Sequence, residues 1–135
     1  FAHKSILQGK ECEELLQIKH FFSVNNLYRK SFLLKNSIKY GEGYIYEDNP
    51  FVVQVATKAQ KISVMAHPFY IIRTNHNSST RSKKSHKTSK HAKDFIQAVQ
   101  SSVDVFKPRT KDAQYYLFKY FLEKFLFYHK KRVPL

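Results

Sequence analysis

Tyr46-Glu47-Asp48-Asn49-Pro50-Phe51-Val52-Val53-Gln54-Val55-Ala56-Thr57-Lys58 sets two adjacent carboxylates directly before a helical pattern, in a chain that is otherwise strongly basic. Phe51, Val52, Val55, Ala56 and Ala59 make one apolar face, while Gln54, Thr57, Lys58 and Lys61 are polar. Asn49 suits an N-cap, and Pro50 suits the first helical position, where a missing N–H costs nothing. On that reading the helix begins at Asn49, and Asp48 stands just outside it, free to face a cleft. The bland reading of a Glu-Asp pair is a cap or a salt bridge. A capping Asn49 weakens it. A helix dipole stabilises an anion at the N-terminus, and an anionic carboxylate can accept a proton from a hydroxyl within hydrogen-bond reach.

Upstream of this stretch, Ile38–Tyr46 is rich in Tyr and Gly and reads as a loop or short extended segment. Leu27, Tyr28, Phe32 and Leu33 fit a short amphipathic helix that Asn36 stops, with a turn or N-cap signal at Asn25-Asn26. A longer helix is expected over Glu11–Phe22. Glu11, Glu13 and Glu14 crowd its start and Lys19 and His20 its end, so the glutamates read as caps. Residues 1–10 read as a weakly structured lead-in.

Downstream, Lys61–Ala66 alternates as a strand, His67-Pro68 interrupts it, and Phe69–Ile72 reads as a second short strand ending at Arg73. Residues 74–93 hold no apolar run and read as a mobile basic loop. Helices are expected over Asp94–Phe106 and Lys111–Arg132. The last is exceptionally aromatic, with a narrow polar side of Asp112, Lys119, Glu123 and Lys130. It reads either as a buried packing helix, which near-encirclement by apolar residues favours, or as a helix lying on a membrane surface. A further option is a docking helix for another protein. The fold class is therefore α+β: mostly helical, with a short β-hairpin or small sheet.

Totals bound the function classes. At 135 residues the chain is one domain or less, and 42% apolar residues suffice for a core. A single cysteine, Cys12, excludes an internal disulfide framework and suits a reducing compartment. No apolar run reaches the roughly 18 residues a membrane span needs, and no secretory signal is visible. The start at Phe1 hints at a cut from something longer. Against 10 acidic residues stand 24 Lys and Arg, a net charge of +14 that attracts polyanions without choosing among them. Solubility and a lysine-favouring genome explain that excess equally well.

Several chemistries lack their motifs. Three glycines are too few for a phosphate loop, and one cysteine rules out cysteine-based zinc spacing. His86 and His91 lie in a lysine-rich stretch that reads as solvated rather than metal-binding. No nucleophile elbow is present. Arg81–Lys93 has the charge for nucleic acid but none of the interleaved aromatics that stack bases.

The ordered motifs resemble the C-terminal half of a bacterial family-2 glycosyltransferase of the GT-A fold. Asn26-Leu27-Tyr28-Arg29-Lys30 is similar to that family's N-K-L-Y-R segment, with Asn26 where lysine is usual. Tyr40-Gly41-Glu42-Gly43-Tyr44-Ile45-Tyr46-Glu47-Asp48 is similar to F-x-E-G-x-x-x-E-D. Lys61-Ile62-Ser63-Val64, Pro68-Phe69-Tyr70-Ile71-Ile72-Arg73 and Asn77-Ser78-Ser79-Thr80 follow in the family's order. The resemblance covers roughly residues 11–106.

The resemblance implies that Asp48 is the general base of an inverting sugar transfer and that Glu47 helps fix the acceptor. It places Arg73 and His76 near the donor diphosphate or metal, and Tyr44, Tyr46 and Arg29 near the acceptor. Residues 1–106 would be the acceptor-side part, and 107–135 a trailing aromatic helix. The whole enzyme would use a divalent cation, Mg or Mn. Its partners would be a nucleotide-sugar donor and a glycan or polyol-phosphate acceptor, in cell-surface polysaccharide or teichoic-acid-type synthesis. It would work in the cytoplasm, peripherally at the inner membrane face, with an anionic membrane surface as a further partner and no nucleic acid. The family's metal-holding Asp-x-Asp is missing, since the aspartates are Asp48, Asp94, Asp104 and Asp112. The nucleotide-binding half is missing with it. No metal is therefore expected on this chain, which is expected to be inert alone. The alternative is a non-catalytic basic module that binds nucleic acid or another polyanion.

Overall fold

A computed structural model describes residues 6–17, 23–65, 70–71, 73 and 87–130, the side chains of 87–89 and 127–130 excepted. It is mostly helical with one small antiparallel sheet, the expected α+β class. The order is β1 (Ile6–Gln8), a 3₁₀ segment (Gly9–Gln17), a 3₁₀ turn (Ser23–Asn25), α1 (Lys30–Lys35), α2 (Asp48–Lys58), β2 (Lys61–Ser63), α3 (Lys87–Val105) and α4 (Asp112–Lys130).

The element at the centre is α2. Every residue from Asn49 to Thr57 is buried, so the expectation of a polar face on this helix fails. A helix enclosed on all sides must satisfy its polar side chains internally. Gln54 Nε2 donates to the Pro50 carbonyl at 3.2 Å, and Thr57 Oγ1 to the Val53 carbonyl at 2.9 Å. Lys58 reaches out instead, donating to the Asn36 carbonyl at 2.9 Å.

The sheet differs from a local hairpin. β2 pairs with β1, with Leu7 opposite Ile62. The lead-in is therefore structured from Ile6 onward, and Leu7 is fully buried. Three residues carry too little alternation to advertise a strand, and the pairing becomes visible only when β2 is placed beside it. Tyr70, Ile71 and Arg73 are exposed and belong to no strand. The rest of the expected second strand lies outside the described residues.

The expected helix over Glu11–Phe22 is a 3₁₀ segment ending at Gln17, with 18–22 outside the described residues. Its glutamates are not equivalent caps. Glu11 accepts the Gln8 N–H at 3.1 Å. Glu13 is fully buried. It accepts the Arg109 backbone N–H at 2.6 Å and the Thr110 hydroxyl at 2.7 Å, with the Arg109 Nε at 3.6 Å. The Arg109 guanidinium also donates to the Ala56 and Ala59 carbonyls, both at 3.0 Å, which closes the C-terminal end of α2. One buried carboxylate thus ties together the first third of the chain, the end of α2 and the start of α4. Thr110 then caps α4 by accepting the Ala113 N–H at 3.2 Å.

The expected short helix holds only in its second half: α1 begins at Lys30, which leaves Leu27 and Tyr28 before it, and Asn36 terminates it by donating its side-chain amide to the Phe32 carbonyl at 2.9 Å. α3 begins seven residues earlier than Asp94, inside the stretch read as a loop. His91, Asp94, Ala98 and Ser102 are buried along it, a helical spacing carried by residues too polar to register as apolar periodicity. α4 joins the common core through Leu117, Tyr120 and Phe121. No described helix is long and apolar enough to cross a membrane.

Candidate active site around Asp48

The loop before α2 is an arch held in shape by backbone conformation and by α3. Gly43 and Tyr46 both take positive φ, +85° and +74°. At Tyr46 this is a costly conformation for a side-chain-bearing residue, kept only where the surroundings fix it. Those surroundings come from α3. The Tyr46 hydroxyl meets His91 Nδ1 at 3.1 Å, and its ring packs edge-on against Phe95 at 5.8 Å. Asp94 Oδ2 accepts the Ile45 N–H at 3.2 Å. At the other end of the arch the Tyr44 ring lies over Gly41, where any Cβ would collide with it. Gly41 N–H donates to the Glu47 carbonyl at 3.1 Å and closes the arch at its base.

Asp48 is the first residue of α2, not a residue outside it, and Glu47 stands at the N-cap position with no side-chain capping bond. Asn49 does not cap. It is fully buried and turned toward α4, where its Oδ1 accepts the Tyr120 hydroxyl at 2.9 Å and the Lys124 ammonium at 2.7 Å. Its Nδ2 has no hydrogen-bond partner among the described residues. The reason is competition. A buried tyrosine and a lysine need an acceptor more than a solvent-facing helix end needs a cap.

Asp48 is half-exposed, and its charge is felt on two sides. Burial drops Lys124 from 10.5 to about 8, and the nearby Asp48 carboxylate opposes the drop. The Lys124 ammonium also sits 4.4 Å from the Tyr120 ring centre, a favourable cation–π position. Burial pushes Tyr28 up from 10.0 to about 12, helped by Tyr40 and then Asp48, while a hydrogen bond with Asn26 opposes. Tyr28 and Tyr40 both pack on Phe51, edge-on at 5.1 Å and stacked at 4.3 Å. Asp48 therefore lies close enough to the part-buried Lys124 ammonium and the part-buried Tyr28 phenol for its charge to act on both.

The other expected site residues scatter. Glu47 is exposed beside Asp48, and Arg29 is exposed at the N-cap position of α1, next to Tyr28. Tyr44 is half-buried against Gly41. It lines an open groove of about 340 Å³ with Tyr40, Glu42, Gln97 and Ser101, a groove whose lining does not include Asp48. Tyr46 is buried on α3, so its hydroxyl is engaged inside the fold. Arg73 is exposed; His76 lies outside the described residues.

Sequence reading missed His91, Asp94, Tyr120 and Lys124 as the residues that position the arch and α2. Extending the helical spacing from Ala98 back through Asp94 to His91 would have found the first two. Nothing local marks Lys124. Among the described residues no group of three or more His, Cys, Asp or Glu could hold a metal ion. The chain has no Asp-x-Asp. Comparison of the chain with known protein families, curated proteins and solved structures found no match.

Proposed function

We propose that the chain is the acceptor-side part of an inverting glycosyltransferase with a GT-A-type catalytic domain, and that Asp48 is its general base. The observation that carries this reading is the position of Asp48. It is a half-exposed carboxylate at the first residue of α2, at the end of an arch that α3 fixes from behind. The arch contains the Tyr40–Asp48 motif, and the other motifs of the resemblance precede and follow it in the sequence in the family's order. Rigid support from buried neighbours is what a base needs to meet a hydroxyl at a fixed distance.

In this reading the acceptor hydroxyl gives its proton to an Asp48 carboxylate oxygen as the hydroxyl oxygen bonds to the anomeric carbon of a nucleotide-sugar. The bond from that carbon to the diphosphate breaks on the opposite face, so the centre inverts and a nucleoside diphosphate leaves. Glu47, exposed beside Asp48, is placed to accept hydrogen bonds from acceptor hydroxyls. Donor binding and charge neutralisation belong to a nucleotide-binding half that would complete the enzyme, and this chain alone is inert. The acceptor class, a cell-surface glycan or polyol-phosphate polymer, fits the net charge of +14.

The test is sugar transfer by the chain joined to a nucleotide-binding half. Asp48→Asn should lower kcat about 10²–10⁴-fold with donor affinity unchanged. Near-normal turnover of that variant would end the assignment. Tight, steeply salt-dependent binding of nucleic acid by this chain alone would favour the basic-module reading.

A further inference from the structure

Along α4 the core-facing positions Ala113, Leu117, Tyr120 and Phe121 are buried, while Tyr115 and Phe118 on the other side are exposed. The next position on the core-facing side, one helical turn after Tyr120, is Lys124. A leucine there would extend the apolar stripe without taking a charge out of water. The lysine is part-buried, and burial works against its charge. Two partners hold the ammonium in place. It donates to Asn49 Oδ1 at 2.7 Å and sits 4.4 Å from the Tyr120 ring centre.

A second unfavourable feature falls on the same spot. Asn49 is fully buried, yet its Nδ2 has no hydrogen-bond partner among the described residues. Its Oδ1 takes both donors of α4, the Tyr120 hydroxyl and the Lys124 ammonium. Turning the amide over would set a donor against two donors, so α4 fixes its orientation. A part-buried ammonium and an orphaned amide are poor choices for a contact that apolar side chains could close. Such features gather where a fold serves chemistry as well as stability. Here they gather on the immediate neighbour of Asp48, in the first turn of α2. Asp48 on α2 and Tyr120 on α4 itself are described titratable groups that face Lys124. The Asp48 carboxylate favours the protonated lysine, so the two opposite charges attract.

We propose that Lys124 is a positioning residue for Asp48: acting through Asn49, its ammonium fixes the first turn of α2 and with it the Asp48 carboxylate. The aromatic helix is then part of the catalytic apparatus. The catalytic meaning of this inference rests on the glycosyl-transfer reading; the coupling between Lys124 and the start of α2 does not. Folded Lys124 loses its proton at about 8. Above that pH a charge-assisted hydrogen bond becomes an ordinary one and the hold weakens.

Nitrogen-15 NMR of the chain alone tests the coupling. The Asn49 side-chain amide and the Asp48 backbone amide should shift together as pH passes about 8, and neither should do so in Lys124→Met. Tyr120→Phe, which removes the other donor, should keep the step. In the chain joined to a nucleotide-binding half, Lys124→Met should lower kcat at least about tenfold with donor KM unchanged. The native rate should fall as pH rises through about 8, and Lys124→Arg, which stays charged, should remove that fall. The proposal is overturned if the Asp48 amide responds neither to pH in this range nor to Lys124→Met. It is also overturned if Lys124→Met turns over normally in an enzyme that Asp48→Asn disables. A joined native enzyme that transfers no sugar, with the coupled shift present, would overturn the glycosyl-transfer reading and support the coupling.

Discussion

Glu13 and Asp48 are both carboxylates on helical segments, and the fold treats them in opposite ways. Glu13 is fully buried and saturated with donors: a backbone N–H, a hydroxyl and a guanidinium. Asp48 is half-exposed, and Tyr120 and Lys124 of α4 donate to its neighbour Asn49. A saturated buried carboxylate has no capacity left for a substrate and serves to hold elements together. A half-exposed carboxylate on a rigid helix end keeps that capacity. The difference separates a saturated acid from one with acceptor capacity left more cleanly than either residue's sequence neighbourhood does.

The largest effect that could break this contrast is at Glu13. Glu13→Gln leaves Arg109 facing a neutral group and turns an amide donor toward other donors. It should destabilise the fold by about 3–5 kcal/mol in urea or guanidinium unfolding. A loss below about 1 kcal/mol would show that the Glu13 node does not anchor the fold.

Next in size is the pH dependence from the Asp48 side. Lys124 titrates at about 8 when folded, below its usual 10.5, so the unfolded chain binds more protons between those values. Its contribution to stability therefore rises as pH increases through that window, by at most about 3 kcal/mol. Tyr28 has the opposite sign, since its folded pKa of about 12 lies above the usual 10.0. The folded chain keeps that proton longer, and stability falls between those values. Buried Cys12, also pushed up by burial, acts in the same direction as Tyr28. Comparing the unfolding free energy of the native chain and Lys124→Met across about pH 8–10 isolates the lysine: the rise should vanish in the variant.

Gly41→Ala tests the arch that carries Asp48. The new methyl meets the outer end of the half-buried Tyr44 ring, which must swing aside, so it should cost about 0.5–1.5 kcal/mol in the same unfolding measurement. The smallest expected effect is the most diagnostic. Asp48→Asn should change stability by less than about 1 kcal/mol, the worth of an acid at a helix N-terminus. A loss above about 2 kcal/mol would make Asp48 a second structural carboxylate and dissolve the contrast.

Much of the fold was legible in the sequence. The Asn36 stop of α1, the Tyr/Gly loop, α2 and the aromatic last helix stand close to where local pattern put them, whereas the strand expected over Lys61–Ala66 ends at Ser63, with Val64 and Met65 in no strand. The site was legible only in outline. The Glu47-Asp48 pair does open α2, but Asn49 was misread, because its capping preference is worth about 1 kcal/mol and two buried donors on α4 outbid it. Tyr46, expected to face an acceptor, is turned inward by a histidine that lies on a helix the sequence presented as a loop. The polarity of His91 and Asp94 hid that helix, since buried polar residues break the apolar count while keeping the spacing.

The sequence by itself determined the local elements, the overall charge, and the placement of two acids at the start of a helix, because these follow from short-range spacing and composition. Tertiary structure decided which acid is saturated and which is left open, that β1 is the partner of β2, and that only one side of α4 is covered. Those outcomes depend on contacts between residues as distant as Glu13 and Arg109, or Asn49 and Lys124. Competition among buried donors and acceptors is settled only when those residues are brought together.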